Sequence, residues 1–510
     1  MKSLQFCGII YITKQPFNPK KEGISCVIIF RKYLYPIFTL IFSMLSRSAI
    51  CHSLICSMSI SISALLFLMS STEPFINSGR KRIYSLESFI RFFILQKIIG
   101  IDTDSAMLRT ISLSKEFRDF CGFVKVPDAS KITLFKQQFC DHLADFFHRL
   151  VDITEPICRE LDDRKADYLV FDTTGFELPV AENNPKFFNT KLKQAKALHK
   201  SQPNFNPYAG VYSFLPDTAN KCINAKQQYI NGHFCYAVKA AIVTNGLGIP
   251  RHIQIFDDDF KAAHPDIVEA KTDNPDIDKE ISDSTALKPV LSNFFKLHPD
   301  LAFKTFIGDS AFDSYDNYSA LKNDFHFERA CIPINIRNSK RFDNNNGSAG
   351  QKPLPVSFDK NGIPLCPLDG SPFISLGKSK GAHRSTRFKF VCPKSKPNGR
   401  SRTCTCPTPC TDSSYGRCVY TYPDKDFRTY PGLLRGTEHW DNLYRHRVTI
   451  ERTIDLLKRT FGVGNRCSTN VKTLKADAYL AGIIQLIGVI LAKAMHKPEL
   501  FKSIRKLAAG

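Results

Sequence analysis

The sequence predicts a mixed α/β fold, in which a helical N-terminal region precedes an α/β core that is interrupted by a cysteine-bearing insertion. Three observations support this prediction. Apolar residues recur every three or four positions over residues 80–160, which indicates helices. Two short apolar runs, 168–171 and 303–308, each stop at an Asp and are typical of buried strands. A late segment, 444–461, returns to helical spacing.

Composition favours a polyanionic partner. The 510 residues carry 70 Lys and Arg against 48 Asp and Glu, giving a net charge of +22 and a pI near 9.3. Because the basic residues occur along the whole chain, nucleic acid is favoured over an acidic small molecule, with an anionic membrane surface as the competing partner. The 17 cysteines form no regular pattern, which favours a reducing cytoplasm with mostly free thiols.

The hydrophobic extension at residues 1–75 differs from the rest of the chain. No Asp, Glu, Lys or Arg occurs from Ser48 to Thr72, so this stretch is long enough for a membrane anchor. Its serines and its lack of a coherent period argue against that reading. We therefore interpret the extension as non-functional sequence translated from too early a start, with Met58 or Met69 as the true start.

Residues 80–160 are predicted to form several helices. The first stops at Gly100, the next is capped by Asp104 or Ser105, and a later one opens at 127–128. Such helices fit a DNA-binding module of the helix-turn-helix kind, whose cations for phosphate groups are Lys131 and Lys136. A plain helical packing domain fits the same spacing.

The first part of the catalytic core is predicted at residues 161–340, where two strands deliver acids. Asp172 ends one apolar run and Asp309 ends the other. Between them, a turn at Asn245–Gly246 predicts a two-stranded antiparallel hairpin. An Asp at a strand end is more often a turn residue, but this order followed by an acid on a late helix indicates a metal site.

That late acid is Glu451, in the C-terminal part of the core at residues 436–510. Its helix is predicted to begin at Asp441 and to end at Gly462, with an apolar face formed by Ile450, Ile454, Leu457 and Phe461. A polar face beside it carries Tyr444, Arg447, Glu451 and Lys458. Taken alone, this face also fits a solvated surface with a Glu–Arg pair.

The insertion at residues 341–435 is rich in cysteine. Four thiols suit a structural Zn²⁺ site in a zinc-ribbon-like subdomain, with Cys404 and Cys418 as substitutes: Cys366, Cys392, Cys406 and Cys410. The segment has no C-x-x-C pair, so a loop insertion with free thiols is the alternative.

The chain resembles the DDE transposases of bacterial insertion sequences. The polar face of the late helix matches their signature without a gap: Tyr, two residues, Arg, three residues, Glu, six residues and Lys. The segments "VFDTTG" and "IGDSAFDS" are similar to those that supply their two Asp residues. The resemblance implies a ribonuclease-H-like core with Asp172, Asp309 and Glu451 as catalytic ligands of Mg²⁺ or Mn²⁺. It also implies that Tyr444, Arg447 and Lys458 contact terminal DNA.

By the same resemblance, the expected activity is transposition. The partners would be double-stranded DNA, both the terminal inverted repeats of the element and the target, with the protein acting as a homodimer on that DNA. No small-molecule substrate or membrane partner is expected, and the location would be the bacterial cytoplasm, at the nucleoid. The alternatives are a DNA-binding protein with an inactive transposase fold and a metal-dependent nuclease that does not join strands.

Overall fold

The computed structural model describes residues 83–200, 206, 211–230, 233–268, 281–335, 356–381, 384–422, 427–428, 430–465 and 467–508. The extension at residues 1–75, with its predicted membrane anchor or false start, lies outside the described residues.

The N-terminal region is helical, as its spacing predicts. Its helices are α1 (Leu86–Ile99), α2 (Asp104–Leu113), α3 (Lys115–Cys121), α4 (Ala129–Gln138) and α5 (Cys140–Ala166). Helix α1 ends where Gly100 adopts a left-handed conformation with a φ of 76°, which costs glycine little. The cap of α2 is Thr103, whose hydroxyl accepts from the Ala106 N–H, so the prediction of Asp104 or Ser105 was wrong by one or two residues.

The core is built on a mixed β-sheet. Seven of the described strands form it: β1 (Tyr168–Glu177), β2 (Thr218–Ala219), β3 (Cys222–Ile230), β4 (His233–Asn245), β5 (Pro250–Ile255), β6 (Thr305–Ile307) and β7 (Arg329–Cys331). Their order is β2-β3-β4-β1-β6-β7, and β5 pairs with β4 to form the predicted antiparallel hairpin. Strand β1 is central, antiparallel to β4 and parallel to β6. The mixed α/β fold class is confirmed.

Helices pack around this sheet. They are α6 (Pro185–Leu198), α7 (Asp258–Ala263), α8 (Asp283–Leu297), α9 (Tyr315–Ser319), α10 (Glu438–Tyr444), α11 (Val448–Asp455), α12 (Val471–Ala494) and α13 (Ile504–Ala508). Helices α10 and α11 belong to one continuous helical segment that continues to Thr460. The segment begins at the cap Thr437, so the prediction that it begins at Asp441 was wrong.

Helix α12 packs on α5 and β5 and joins the N-terminal helices to the core. It is the one described helix that is long and apolar enough to cross a membrane, and most of its side chains are buried inside the protein. That burial is what a core helix requires, because a helix that is apolar on all sides must be covered.

The cysteine-rich insertion forms small sheets of its own. Strands β8 (Ile374–Gly381), β9 (Arg384–Val391) and β12 (Cys418–Thr421) pair in the order β12-β9-β8, and β10 (Ser395–Asn398) pairs with β11 (Ser401–Cys404). One face of the larger sheet buries Phe388 and Phe390 in a cluster with Phe373. The insertion is therefore β-rich, as predicted.

Candidate active site

Two of the predicted acids lie side by side on neighbouring segments of the sheet. The prediction that the first strand ends at Asp172 was wrong, because β1 continues to Glu177 and Asp172 pairs with Ile242 of β4. In the parallel pair of β1 and β6, Val170 is opposite Ile307. Asp172 and Asp309 each follow two residues later. Because side chains alternate along a strand, both acids project to the same side, just beyond the last paired residues. The fold therefore brings together two acids that are 137 positions apart in the chain.

Backbone N–H groups fix one oxygen of each carboxylate. Asp172 Oδ1 accepts from the Thr173 N–H at 2.9 Å, and Asp309 Oδ1 accepts from the Ala311 N–H at 2.7 Å. Asp309 thereby caps a short helical turn. In both residues the second oxygen, Oδ2, is turned toward the same cation, Arg447.

A buried ion pair holds the turn that carries Asp309. Asp313 is fully buried and bonds Arg428 in a bidentate fashion, with Nε to Oδ1 at 2.8 Å and Nη2 to Oδ2 at 2.7 Å. The Asn335 N–H also donates to Asp313. Since Arg428 lies where the chain returns from the insertion, this pair ties the insertion to the Asp309 turn. In the sequence, Asp313 is marked only as the second Asp of "GDSAFDS", and no local signal indicates its partner.

Glu451 reaches the site on helix α11. Ile450, Leu457 and Phe461 are buried on the face that the sequence predicts. The Thr453 hydroxyl donates to the carbonyl of Gly248 in the β4–β5 turn at 2.7 Å, which fixes the helix on the sheet. The opposite side of the helix then presents Glu451 to the sheet edge.

Arg447 joins all three acids. Its Nη1 lies 2.6 Å from Glu451 Oε1, and its Nη2 lies 3.6 Å from Asp172 Oδ2 and 3.7 Å from Asp309 Oδ2. The Glu–Arg pair of the simpler reading is therefore present, but it is part of a larger arrangement. Three carboxylates, from the middle of β1, the turn after β6 and helix α11, meet around one guanidinium.

The electrostatics follow from this crowding. Burial, together with a smaller contribution from the charge of Asp309, raises the pKa of Asp172 to about 6, while Arg447 opposes the rise. Burial works against the charge of Arg447, yet the surrounding anionic groups, Asp172 first, leave its pKa raised. Without an added cation, Arg447 is the charge that compensates the acids.

Tyr444 and Lys458 border the same site. Burial raises the pKa of Tyr444, and the charge of Asp309 contributes in the same direction. Lys458 donates from Nζ to the Gly175 carbonyl at 2.7 Å and lies 5.3 Å from the centre of the Phe176 ring. Burial lowers the pKa of Lys458. Both side chains thus contact the end of β1 or the carboxylate group rather than open solvent.

A fourth acid, Asp283, was missed by the sequence reading. It accepts from the Thr173 hydroxyl, next to Asp172, and forms an ion pair with Lys239 at 2.6 Å. Its charge contributes to the raised pKa of Asp172. The available signal was a Ser-Asp helix start at 282–283, which by itself indicates only a cap.

The two lysines of the N-terminal helices differ. Lys131 is exposed on α4. The prediction that Lys136 is open to phosphates was wrong, because its ammonium is buried and bonded to Asp104 at 2.6 Å and to Asp477 at 2.8 Å. Its apolar stem and these two acids make it a structural residue.

The four cysteines of the predicted zinc site lie in the insertion. Cys366, Cys392 and Cys410 are buried and Cys406 is partly exposed. Burial raises the pKa of the Cys410 thiol, and the neighbouring Cys366 and Cys406 raise it further. Among the described residues, no group of three or more His, Cys, Asp or Glu side chains is arranged to hold a metal ion as it stands. The zinc site stays a prediction.

Comparison with known proteins identifies the family. A family model described as "Transposase DDE domain" matches residues 275–487, and another described as "Transposase domain (DUF772)" matches residues 59–138. The chain belongs to the DDE transposases of insertion-sequence kind. The first match includes Asp309 and Glu451 but not Asp172, and the second spans helices α1 to α4 up to Gln138.

Other comparisons add less. The cryo-EM structure of a piggyBac transposase synaptic complex with hairpin DNA is 10% identical to this transposase, with a TM-score of 0.34 over 92% of this chain and 78% of that chain. No curated protein matches the chain.

Membership in the family implies a ribonuclease-H-like core, and DDE transposase domains generally use divalent metal ions. The chemistry of the donor set fits such an ion, because Asp172, Asp309 and Glu451 offer hard carboxylate oxygens. In this structure those oxygens face the Arg447 guanidinium and are not arranged as ligands of one ion. A positive charge at their centre also suits the site, since the three acids already surround the Arg447 guanidinium.

Proposed function

We propose that this transposase binds the ends of an insertion sequence and performs metal-dependent DNA strand cleavage and strand transfer, with Asp172, Asp309 and Glu451 as the catalytic acids. The observation that supports this most strongly is the meeting of the three carboxylates around Arg447. Carboxylates that crowd together repel one another, and a buried acid with a raised pKa beside specific charged partners, such as Asp172, is typical of a functional site.

In this proposal the acids hold Mg²⁺ or Mn²⁺. When bound, the metal supplies the positive charge that activates an attacking oxygen and stabilises a leaving oxygen. The reaction needs no protein nucleophile. Water attacks a terminal phosphodiester, breaking the bond between phosphorus and the 3′ oxygen and leaving a free 3′-OH and a 5′-phosphate. That 3′-OH then attacks a phosphodiester of target DNA, forms a new phosphorus–oxygen bond and displaces the 3′-OH of the target strand.

The chain's own cations would position the DNA. Arg447 cannot act by proton transfer at neutral pH, but its planar guanidinium can hold a phosphate by two parallel hydrogen bonds. Tyr444 and Lys458 lie along the same helical segment and would contact neighbouring terminal nucleotides. Lys131, exposed on α4, would contribute a phosphate contact further away.

Three finer parts of the proposal are tested separately. A homodimer on DNA predicts a complex with two chains when the mass of the protein–DNA assembly is measured. A structural Zn²⁺ on Cys366, Cys392, Cys406 and Cys410 predicts about one equivalent of zinc per chain by elemental analysis. A location in the bacterial cytoplasm, at the nucleoid, predicts that a fluorescent fusion of the protein co-localises with the chromosomal DNA.

The central test is a cleavage and joining assay on duplexes that carry the element's ends, taken from the DNA that flanks the reading frame. Asp172→Ala, Asp309→Ala and Glu451→Ala should each abolish cleavage and leave end binding largely intact. Asp316→Ala is the matched control, because Asp316 is an exposed acid on α9 and touches none of the three.

Cleavage near the wild-type rate in any of the three variants would refute the assignment of that acid. Cleavage without joining by the wild-type protein would identify a nuclease instead, and binding without either reaction would identify an inactive DNA-binding protein.

A further inference from the structure

The insertion is strongly basic. Residues 356–422 contain 11 Lys and Arg against three Asp and no Glu, which is a positive charge density well above the average of the whole chain. Nothing in the active site uses these cations. Two of these cations, Arg387 and Lys389, lie on β9.

The three-stranded sheet of the insertion has two unlike faces. Phe388 and Phe390 are buried on one face. Because side chains alternate along a strand, Arg387 and Lys389 lie on the other. Tyr420 of β12 is directly opposite Lys389 in the ladder and therefore shares that outer face. We call Arg387, Lys389, Tyr415, Arg417 and Tyr420 the outer basic face.

Neutral rings, not carboxylates, support the cations of this face. The guanidinium carbon of Arg387 lies 3.9 Å from the centre of the Tyr420 ring, and the Lys389 ammonium lies 4.5 Å from that of Tyr415. Lys389 also bonds the Tyr415 hydroxyl at 3.0 Å. Within the described part of the chain neither cation forms an ion pair, and Arg387 Nε is a buried donor without a hydrogen-bond partner. Stacking holds both side chains in place and leaves their full charge available.

The face is also concave. A cleft of about 630 Å³ is lined by Lys389, Tyr415, Arg417 and Tyr420, together with the Thr411–Ser413 segment, which contributes one carboxylate, Asp412. The two stacked cations of β9, the cleft beside them and the basic residues around it suit an extended polyanion whose charges repeat along its length. A phosphodiester backbone has that property, and the free N–H edges of a stacked guanidinium fit its oxygens.

We infer that the outer basic face of the insertion is a second DNA-binding surface, which contacts the phosphate backbone of duplex DNA beyond the nucleotides held at the catalytic acids. This inference rests on the proposed function, because the second surface would hold the same DNA that the active site cuts. Its contacts are to backbone phosphates, so they add affinity and register without reading sequence.

The test compares the salt dependence of duplex binding by the wild-type transposase and by Arg387→Gln/Lys389→Gln. Each lost phosphate contact lowers the slope of log affinity against log salt by about 0.9, so the double variant should lose roughly two units. Lys394→Gln is the matched control: it removes one cation from the same insertion, but one that is already paired with Asp369 at 2.7 Å. Its slope should stay at the wild-type value.

One further variant keeps the result independent of folding: Lys389→Arg retains the charge and should retain the slope. An unchanged slope in the double variant, or an equal fall in Lys394→Gln, would overturn the inference. If the wild-type protein itself fails to bind duplex DNA, the proposed function fails, whereas normal wild-type binding with an insensitive double variant removes only the second surface.

Discussion

The active site and the outer basic face hold their cations in opposite ways. Arg447 is enclosed by Asp172, Asp309 and Glu451, whereas Arg387 and Lys389 rest on tyrosine rings. A guanidinium among carboxylates is fixed in position and its charge is balanced. A cation on a neutral ring is also fixed, but it still attracts a polyanion at a distance. The same residue types thus serve positioning in one region and attraction in the other.

The largest effect should come from the ion pair that links the two regions. Arg428→Ala leaves Asp313 buried without its cation and should lower the free energy of unfolding by about 3–5 kcal/mol, measured by urea denaturation. Lys288→Ala is the control, because it breaks an exposed pair with Asp324 and should cost no more than about 1 kcal/mol. Equal losses in both variants would mean that the insertion is not tied to the Asp309 turn through this pair.

Removing Arg447 should separate positioning from attraction. Arg447→Ala should reduce cleavage about 100-fold, because small displacements of the reacting groups are that costly, while DNA binding changes much less. Without a divalent metal this variant should also have a lower melting temperature, since three carboxylates are left uncompensated, and added Mn²⁺ should restore it. Arg445→Ala is the control, because Arg445 is exposed and donates to the side-chain oxygen of Asn442 on its own helical segment. If the cleavage rate falls equally in both variants, Arg447 does not position the reacting groups.

The smallest effect concerns Lys458, which lies between the two kinds of cation. Lys458→Met keeps most of the length of the side chain, removes the ammonium that lies over the Phe176 ring, and should lower the salt slope of binding to terminal DNA by about one unit. Arg459→Met is the matched neighbour, since Arg459 is exposed and pairs with Asp455 at 2.6 Å. An unchanged slope together with a lower melting temperature would assign Lys458 to the support of β1 alone.

Local patterns predicted much of this architecture. The spacing of apolar residues predicted the N-terminal helices and the buried face of the Glu451 helix, because amphipathic periodicity survives folding. The acids that follow the two short apolar runs and the Asn245–Gly246 turn were also predictable, since apolar runs and turn residues are local signals. The end of the first strand was not, because β1 continues past Asp172 to Glu177.

What the sequence could not predict depends on long-range contacts. A lysine such as Lys136 is expected at the surface from its residue type. It is buried here because α12, which carries its partner Asp477, packs over it. Asp313 and Arg428 are 115 positions apart, so nothing local marks them as partners. Helical spacing likewise predicts only Glu451 as an acidic partner of Arg447, whereas in the structure the sheet adds Asp172 and Asp309.

The most direct test of the central claim is metal binding itself, measured by titrating Mn²⁺ into the DNA-free transposase. The account predicts that the wild-type protein binds Mn²⁺ and that Asp172→Asn, Asp309→Asn and Glu451→Gln each lose most of that binding, because each removes one carboxylate oxygen donor. Asp316→Asn should bind as the wild type does. Undiminished Mn²⁺ binding in all three variants would contradict the claim that these acids form the catalytic metal site.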